Sequence, residues 1–136
     1  INMTKVELKN AEFVDLINGL FAVQNLKGVK FGLLVAKNIK VLQTELDHLE
    51  SAATPSTEFV ELSTKVNALI AEDKADEVQK LEDENTELVS TRKSQMAELE
   101  ELLQEDTKID LHAIPEDCLP GDITGEQIIN IYKIIE

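Results

Sequence analysis

The fold is decided by residues 26–49, which read LKGVKFGLLVAKNIKVLQTELDHL. The stretch begins with a glycine turn and continues as an apolar run that contains a few lysines. At helical spacing its large apolar residues form one stripe, which Leu33 and Val41 widen. Because this helix would be apolar on most of its circumference, we expect it to lie in the middle of the fold.

The lysines of this helix form a narrow seam. Lys30, Lys37 and Lys40 fall within an arc of about 80° at about 100° per residue. Lys27 and Gly28 precede the helix, where free N–H groups favour anions. A single glycine is not a phosphate-binding loop, and the favoured interpretation is that Gly28 supplies a positive φ while the lysines keep one face in water. As a surface for a protein partner, the candidate residues are Lys27, Lys30, Lys37, Asn38 and Lys40.

The two ends of the chain are predicted to pair as a small ribbon. Residues 4–9 and 108–114 both alternate between apolar and polar side chains, which is typical of half-buried strands. Asn10 is the expected N-cap of a helix that follows the first strand. Gly19 lies inside that helix, and this indicates a close approach by a neighbouring helix. Near the C-terminus, Thr124 and Gln127 have the spacing of a capping box.

The middle of the chain is predicted to be helical and interrupted. Thr54 is a candidate N-cap, with Pro55 at the first helical position of a third helix. Residues 71–77 have no large apolar side chain and indicate a break. From residue 78 to 103 the apolar spacing alternates between three and four, which is typical of a coiled coil, although Asn85, Arg92 and Gln95 interrupt it. Residues 81–91 also fit an exposed hairpin, so both alternatives stay open.

Together these patterns predict a mostly α protein of the α+β class. We expect a helical hairpin or bundle with a long antiparallel helical arm, and a two-stranded ribbon that pairs the N-terminal strand with residues 108–114. The whole of residues 1–136 is predicted to be one domain, with residues 71–93 as a projecting acidic arm.

Charge is distributed unevenly along the chain. The net charge is −14, yet residues 1–42 carry six lysines and three acids, whereas residues 43–106 carry five basic and eighteen acidic residues. The acidic block should repel nucleic acids, and mimicry of a DNA backbone is the weaker alternative to a solvated helix face. No apolar run approaches the roughly 20 residues that span a bilayer. The lone Cys118 excludes an internal disulfide and is typical of a reducing cytoplasm.

The sequence shows no set of residues that would support a reaction. Asp110 and His112 share a strand face, but a catalytic zinc needs three good ligands and no second cluster is present. Nothing in the sequence orients a base towards Cys118, so a structural or exposed loop cysteine is the favoured interpretation. We therefore expect no catalytic residues, no metal and no cofactor, and we expect that the protein is not an enzyme.

Short motifs at both ends carry a family resemblance. The sequence has KGVKF at 27–31, KN at 37–38, IDLH at 109–112, LP at 119–120 and ITGEQ at 123–127. In these motifs it resembles a family of small proteins of uncharacterised function that tailed bacteriophages encode. The resemblance covers about half of the chain and omits the glutamate-rich middle. It implies a phage accessory or assembly protein that acts in the cytoplasm of the host bacterium.

Two functions follow as hypotheses. In the first, a non-enzymatic phage protein binds a host or phage protein through the lysine surface. In the second, an oligomeric structural or virion-assembly factor associates with itself through residues 78–103. We expect neither nucleic acid nor membrane as a partner.

Overall fold

A computed structural model of the chain describes residues 2–136. It contains two strands, six α-helices and two short 3-10 helices (Glu116–Cys118 and Tyr132–Ile134) within the described residues. In chain order the strands and α-helices are β1 (Met3–Lys9), α1 (Glu12–Val23), α2 (Val29–Ala53), α3 (Thr57–Ala71), α4 (Ala75–Glu84), α5 (Thr86–Gln104), β2 (Asp106–His112) and α6 (Gly125–Ile131). The prediction of a mostly α protein with a two-stranded antiparallel sheet is confirmed.

The chain divides into two compact units. The first contains the described residues up to Leu49 together with Leu102–Glu136, and the second contains Glu50–Glu101. The first unit holds both strands, α1, α6 and most of α2. Nearly all of the fully buried apolar side chains belong to this unit, and Leu62 is the buried apolar residue that the second unit contributes within the described chain.

The ribbon has one apolar face and one charged face. Val6 pairs with Ile109, and both side chains are buried. On the other face the register sets Lys5 against Asp110, Glu7 against Lys108 and Lys9 against Asp106. Cross-strand pairs of opposite charge stabilise a sheet by roughly 0.2–1 kcal/mol each. The alternating sequence of both strands is thus explained by burial on one face and, on the exposed face, by residues of opposite charge that the register sets across from each other.

Two local predictions at the ribbon are wrong, although the pairing of the two strands is confirmed. β2 covers Asp106–His112 rather than residues 108–114. The end of the predicted strand instead forms a parallel bridge between Ile114 and Ile135. Asn10 is not the N-cap of α1, because that position is Ala11 and has no capping side chain. The reason is competition from distant partners that a local pattern does not reveal.

Asn10 connects the first strand to the chain that precedes the second. It is buried, and its Nδ2 donates to the carbonyl oxygen of Leu102 at 2.7 Å. Its Oδ1 accepts from the hydroxyl of Thr107 at 2.7 Å, and its backbone N–H donates to the carbonyl of Glu105 at 3.0 Å. The side chain therefore satisfies buried polar groups at the ribbon rather than the free N–H groups of α1.

Two of the sequence signals are confirmed in the first unit. A Cβ on Gly19 would lie 2.9 Å from the carbonyl oxygen of Asn130, so α1 and α6 approach closely at the predicted position. Thr124 and Gln127 form the predicted capping box at the start of α6. Gly28 has φ +123°, a value that L side chains rarely adopt, and it sets the direction in which α2 begins.

The second unit consists of helices that are separated by short breaks. α3 ends at Ala71, Asp73 takes a left-handed conformation with φ 59°, and α4 begins at Ala75, so the predicted break is present. Residues 81–91 are helical rather than a hairpin. The helix is interrupted at Asn85, whose side chain donates to the carbonyl of Leu81 at 2.8 Å. The predicted cap at Thr54 is wrong, because Ser56 is the N-cap of α3 and accepts from the N–H of Phe59.

Side chains of α5 satisfy the last carbonyl groups of α2. Arg92 donates through Nη1 to the carbonyl of Ala53 at 2.7 Å and to Oε1 of Gln95 at 2.6 Å. Gln95 in turn donates to the carbonyls of Ala52 and Thr54 at 3.1 and 3.0 Å. The guanidinium of Arg92 also lies 5.8 Å from the ring centre of Phe59. Arg92 and Gln95, two of the three polar residues that interrupt the coiled-coil spacing, therefore cap the end of α2.

Candidate partner-binding face

α2 is buried along one stripe only. Its buried side chains are Phe31, Leu34, Val35, Asn38 and Leu42. On the other side Lys30 and Lys40 are exposed and Lys37 is half-buried. Two apolar residues also face solvent there, Val29 with 92% of its surface exposed and Leu33 with 50%. The expectation that α2 is covered around most of its circumference is therefore wrong.

We define the α2 face as Val29, Lys30, Leu33, Lys37 and Lys40. At about 100° per residue these positions lie on one side of the helix. The face combines cationic heads with apolar side chains. An apolar side chain that is almost fully exposed in the first turn of a long helix gains nothing from folding, because burial is the source of its stabilisation. Burial within the described chain therefore does not account for Val29, and its side chain is available for contact with a partner.

Asn38 does not belong to this face, and the prediction that it contributes to a partner-binding surface is wrong. Its side chain is 0% exposed. Its Nδ2 donates to the carbonyl of His112 at 2.8 Å, and its Oδ1 accepts from the N–H of His112 at 2.7 Å. The amide thus pairs with the outer edge of β2 as a neighbouring strand would. The sequence places Asn38 next to Lys37, but one helical step turns it into the core.

The lysines of the α2 face are not neutralised within the chain. Among residues 2–136 the ion pairs are Lys74 with Glu72 at 3.0 Å, Lys74 with Glu77 at 3.9 Å, and Lys133 with Glu12 at 3.7 Å. None of these pairs uses a lysine of the α2 face. Pairing with the acids of the same chain, the simplest structural explanation for this lysine seam, therefore does not hold in the described residues.

A cleft opens beside Lys30. It has a volume of about 320 Å³ and is lined by Asn2, Lys30, Leu34, Ala113, Pro115 and Glu136. Leu34, Ala113 and Pro115 provide apolar walls, and Lys30 places a cation at the edge. Glu136 adds an acid to the lining, so the cleft carries charges of both signs. Lys27, the remaining lysine of the predicted surface, is exposed in the turn before the helix.

The residues with potential for catalysis or metal binding are not brought together. Among residues 2–136 no three His, Cys, Asp or Glu side chains are arranged to hold a metal ion. The Nδ1 atom of His112 is buried and has no hydrogen-bond partner. Cys118 is half-buried, and its Sγ lies 3.7 Å from a carboxylate oxygen of the adjacent Asp117.

No protein-family model, curated protein or solved structure matches the chain. None of the helices in residues 2–136 combines the length and the apolar character needed to cross a lipid bilayer.

The sequence indicated the lysines of the α2 face but missed its apolar members. The pattern predicts that Leu33 widens the apolar surface of this helix, and it predicts Val29 only as the first residue of the helix. The structure also shows a groove in the second unit that the sequence did not predict.

Proposed function

We propose that this is a non-enzymatic, phage-encoded accessory protein that binds a host or phage protein in the bacterial cytoplasm through the α2 face. The observation that carries the proposal is the exposure of Val29 (92%) and Leu33 (50%) beside lysines that have no acidic partner in the described chain. The resemblance of the motifs at both ends of the chain to a phage-encoded family supports the proposed phage origin.

The chemistry of the α2 face favours an acidic protein segment as its partner. Interface centres combine apolar anchors with polar or charged groups at the rim, and complementary charge sets specificity and the rate of association. Lysine heads would pair with carboxylates while Val29 and Leu33 lose water. Because the chain as a whole carries −14, this localised positive face would also distinguish an acidic partner from the basic proteins that the remaining surface attracts.

The second candidate is a self-associating assembly factor. It is favoured by α4 and α5, in which no side chain of the described residues is fully buried. Leu81, Leu88 and Leu99 are only half-buried, although large aliphatic side chains of globular domains are commonly found inside. A copy of the same helices could cover them.

An affinity capture from phage-infected and uninfected host lysates tests the proposal. Capture of one stoichiometric protein that elutes as the salt concentration rises supports binding through the α2 face. Co-purification with virion components supports the assembly role instead. Recovery of the protein alone from both lysates, with no salt-sensitive companion, would contradict binding to a host or phage protein.

A further inference from the structure

The second unit contains a groove along α5, which we call the α5 groove. It has a volume of about 580 Å³, and its lining includes Phe59, Leu88, Thr91, Arg92, Ser94 and Glu98. Phe59 and Leu88 supply apolar surface, and the small side chains of Thr91 and Ser94 keep the groove open. Arg92 is already engaged by the carbonyl of Ala53 and by Gln95, so its charge is directed toward the end of α2.

One carboxylate, that of Glu98, lines this groove, and two more lie on the same side of α5 outside the lining. At about 100° per residue, Glu87, Glu98 and Glu101 fall within an arc of about 60° on α5. All three are exposed, and none takes part in an ion pair within the described residues. The row extends about 21 Å along the axis at about 1.5 Å per residue. Lys30 and Lys40 of the α2 face are separated by about 15 Å on the same measure.

We propose that the α5 groove binds the α2 face of a second copy of this chain. Val29 and Leu33 would enter the groove and contact Phe59 and Leu88, while the lysines would pair with the row of glutamates. The inference rests on the proposed function of the α2 face and names its partner as this protein itself. Charge complementarity selects this occupant, because the chain carries both a basic row and an acidic row that take part in no ion pair within the described residues.

The proposed contact is heterologous, because the two surfaces that meet are different. After one contact forms, the first copy still has a free groove and the second copy still has a free α2 face, so association continues into a ring or an open chain. Two copies that each carry −14 also repel at long range, and screening by salt at about 0.15 M limits this repulsion to about 8 Å. Association should therefore be weak at very low salt, strongest near physiological salt, and weak again when the contact pairs are screened.

Sedimentation velocity of charge-reversed variants tests this pairing. The first variant is Lys30→Glu with Lys40→Glu, and both positions are exposed. The second is Glu98→Lys with Glu101→Lys. We expect the wild type to form species larger than a dimer as its concentration rises. Each variant alone should associate at least tenfold more weakly, because like charges then face each other in the contact.

Mixing the two variants should restore association. The unchanged lysines of one then meet the unchanged glutamates of the other, and the reversed surfaces also complement each other. As a matched control, Lys65→Glu with Lys80→Glu changes the net charge equally at exposed positions that do not line the groove, and it should associate as the wild type does.

A wild type that remains monomeric at all concentrations and salt strengths would overturn the inference, as would a mixture that fails to associate when each variant alone is folded by circular dichroism. The proposed function would survive this outcome if the α2 face still captured a host or phage protein. If the wild type assembles and the mixture is restored, but no other protein is captured, the homotypic contact stands and the host or phage partner is refuted.

Discussion

Replacement of Asn38 by leucine should destabilise the first unit strongly. The side chain is 0% exposed, and its amide bonds both the N–H and the carbonyl of His112, at 2.7 and 2.8 Å. Leucine fills a similar volume but bonds neither group. A buried polar group left without a partner costs about 1–3 kcal/mol. Two such groups cost about 2–6 kcal/mol, and the added apolar surface recovers part of this.

We expect a net loss of about 3 kcal/mol in the free energy of unfolding of the Asn38→Leu variant, out of the 5–15 kcal/mol typical of a domain. For a chain of this size the loss should lower the melting temperature by roughly 10 °C. Thermal unfolding followed by far-ultraviolet circular dichroism measures this shift. The amide of His112 should also exchange with solvent much faster in the variant.

Gln43→Leu is the matched control, because Gln43 lies on the same helix and is exposed. Its free energy of unfolding should stay within about ±0.5 kcal/mol of the wild-type value, which is the range typical of surface changes. Its melting temperature should therefore barely change. If Asn38→Leu has the same melting temperature as the control, and the exchange rate of the His112 amide is unchanged, the pairing of α2 with the edge of β2 is refuted.

Three further measurements test the fold. Gly19→Ala should lower the free energy of unfolding, measured in urea, by about 1 kcal/mol. The overpacking cost against Asn130, about 1–3 kcal/mol, exceeds the gain of about 1 kcal/mol in helix propensity, and a more stable variant would contradict the contact. Thr124→Ala should cost about 1 kcal/mol, whereas Thr124→Ser should be nearly neutral because it keeps the capping oxygen. Amide exchange through α4 should be fast compared with that of Leu34 and Val35, and uniformly slow exchange there would show a packed segment.

The elements of this fold were predictable where one physical period dominates. Val6, Leu8, Ile109 and Leu111 alternate with charged residues, and period two identified the ribbon. Gly19 and the pair Thr124 and Gln127 have local reasons that the sequence expresses directly. Fold class and strand pairing therefore followed from burial on one face and from local capping chemistry.

The remaining features depend on partners distant in sequence. Asn10 and Asn38 both bond backbone groups more than seventy residues away, and no local pattern specifies such a partner. Val29 and Leu33 are exposed because no element of the described residues covers that side of α2. The number and spacing of apolar residues in the helix do not reveal which side is covered. The lysines could be predicted because their helical spacing places them on one side of α2. The burial of Asn38 and the α5 groove could not be predicted, because both depend on residues distant in sequence.

Binding of the captured partner to the Lys30→Glu, Lys37→Glu variant tests the central claim most directly. Exposed ion pairs contribute up to about 1 kcal/mol each, and reversal replaces each attraction by a repulsion, so binding should weaken by about 2 kcal/mol, or roughly thirtyfold. Isothermal titration calorimetry measures the affinity of the partner for the wild type, for this variant, and for the control variant Lys65→Glu, Lys80→Glu, which has the same net charge as the first variant. The account predicts unchanged melting temperatures for both variants and a loss of affinity in the first alone. Wild-type affinity in the folded Lys30→Glu, Lys37→Glu variant would contradict it.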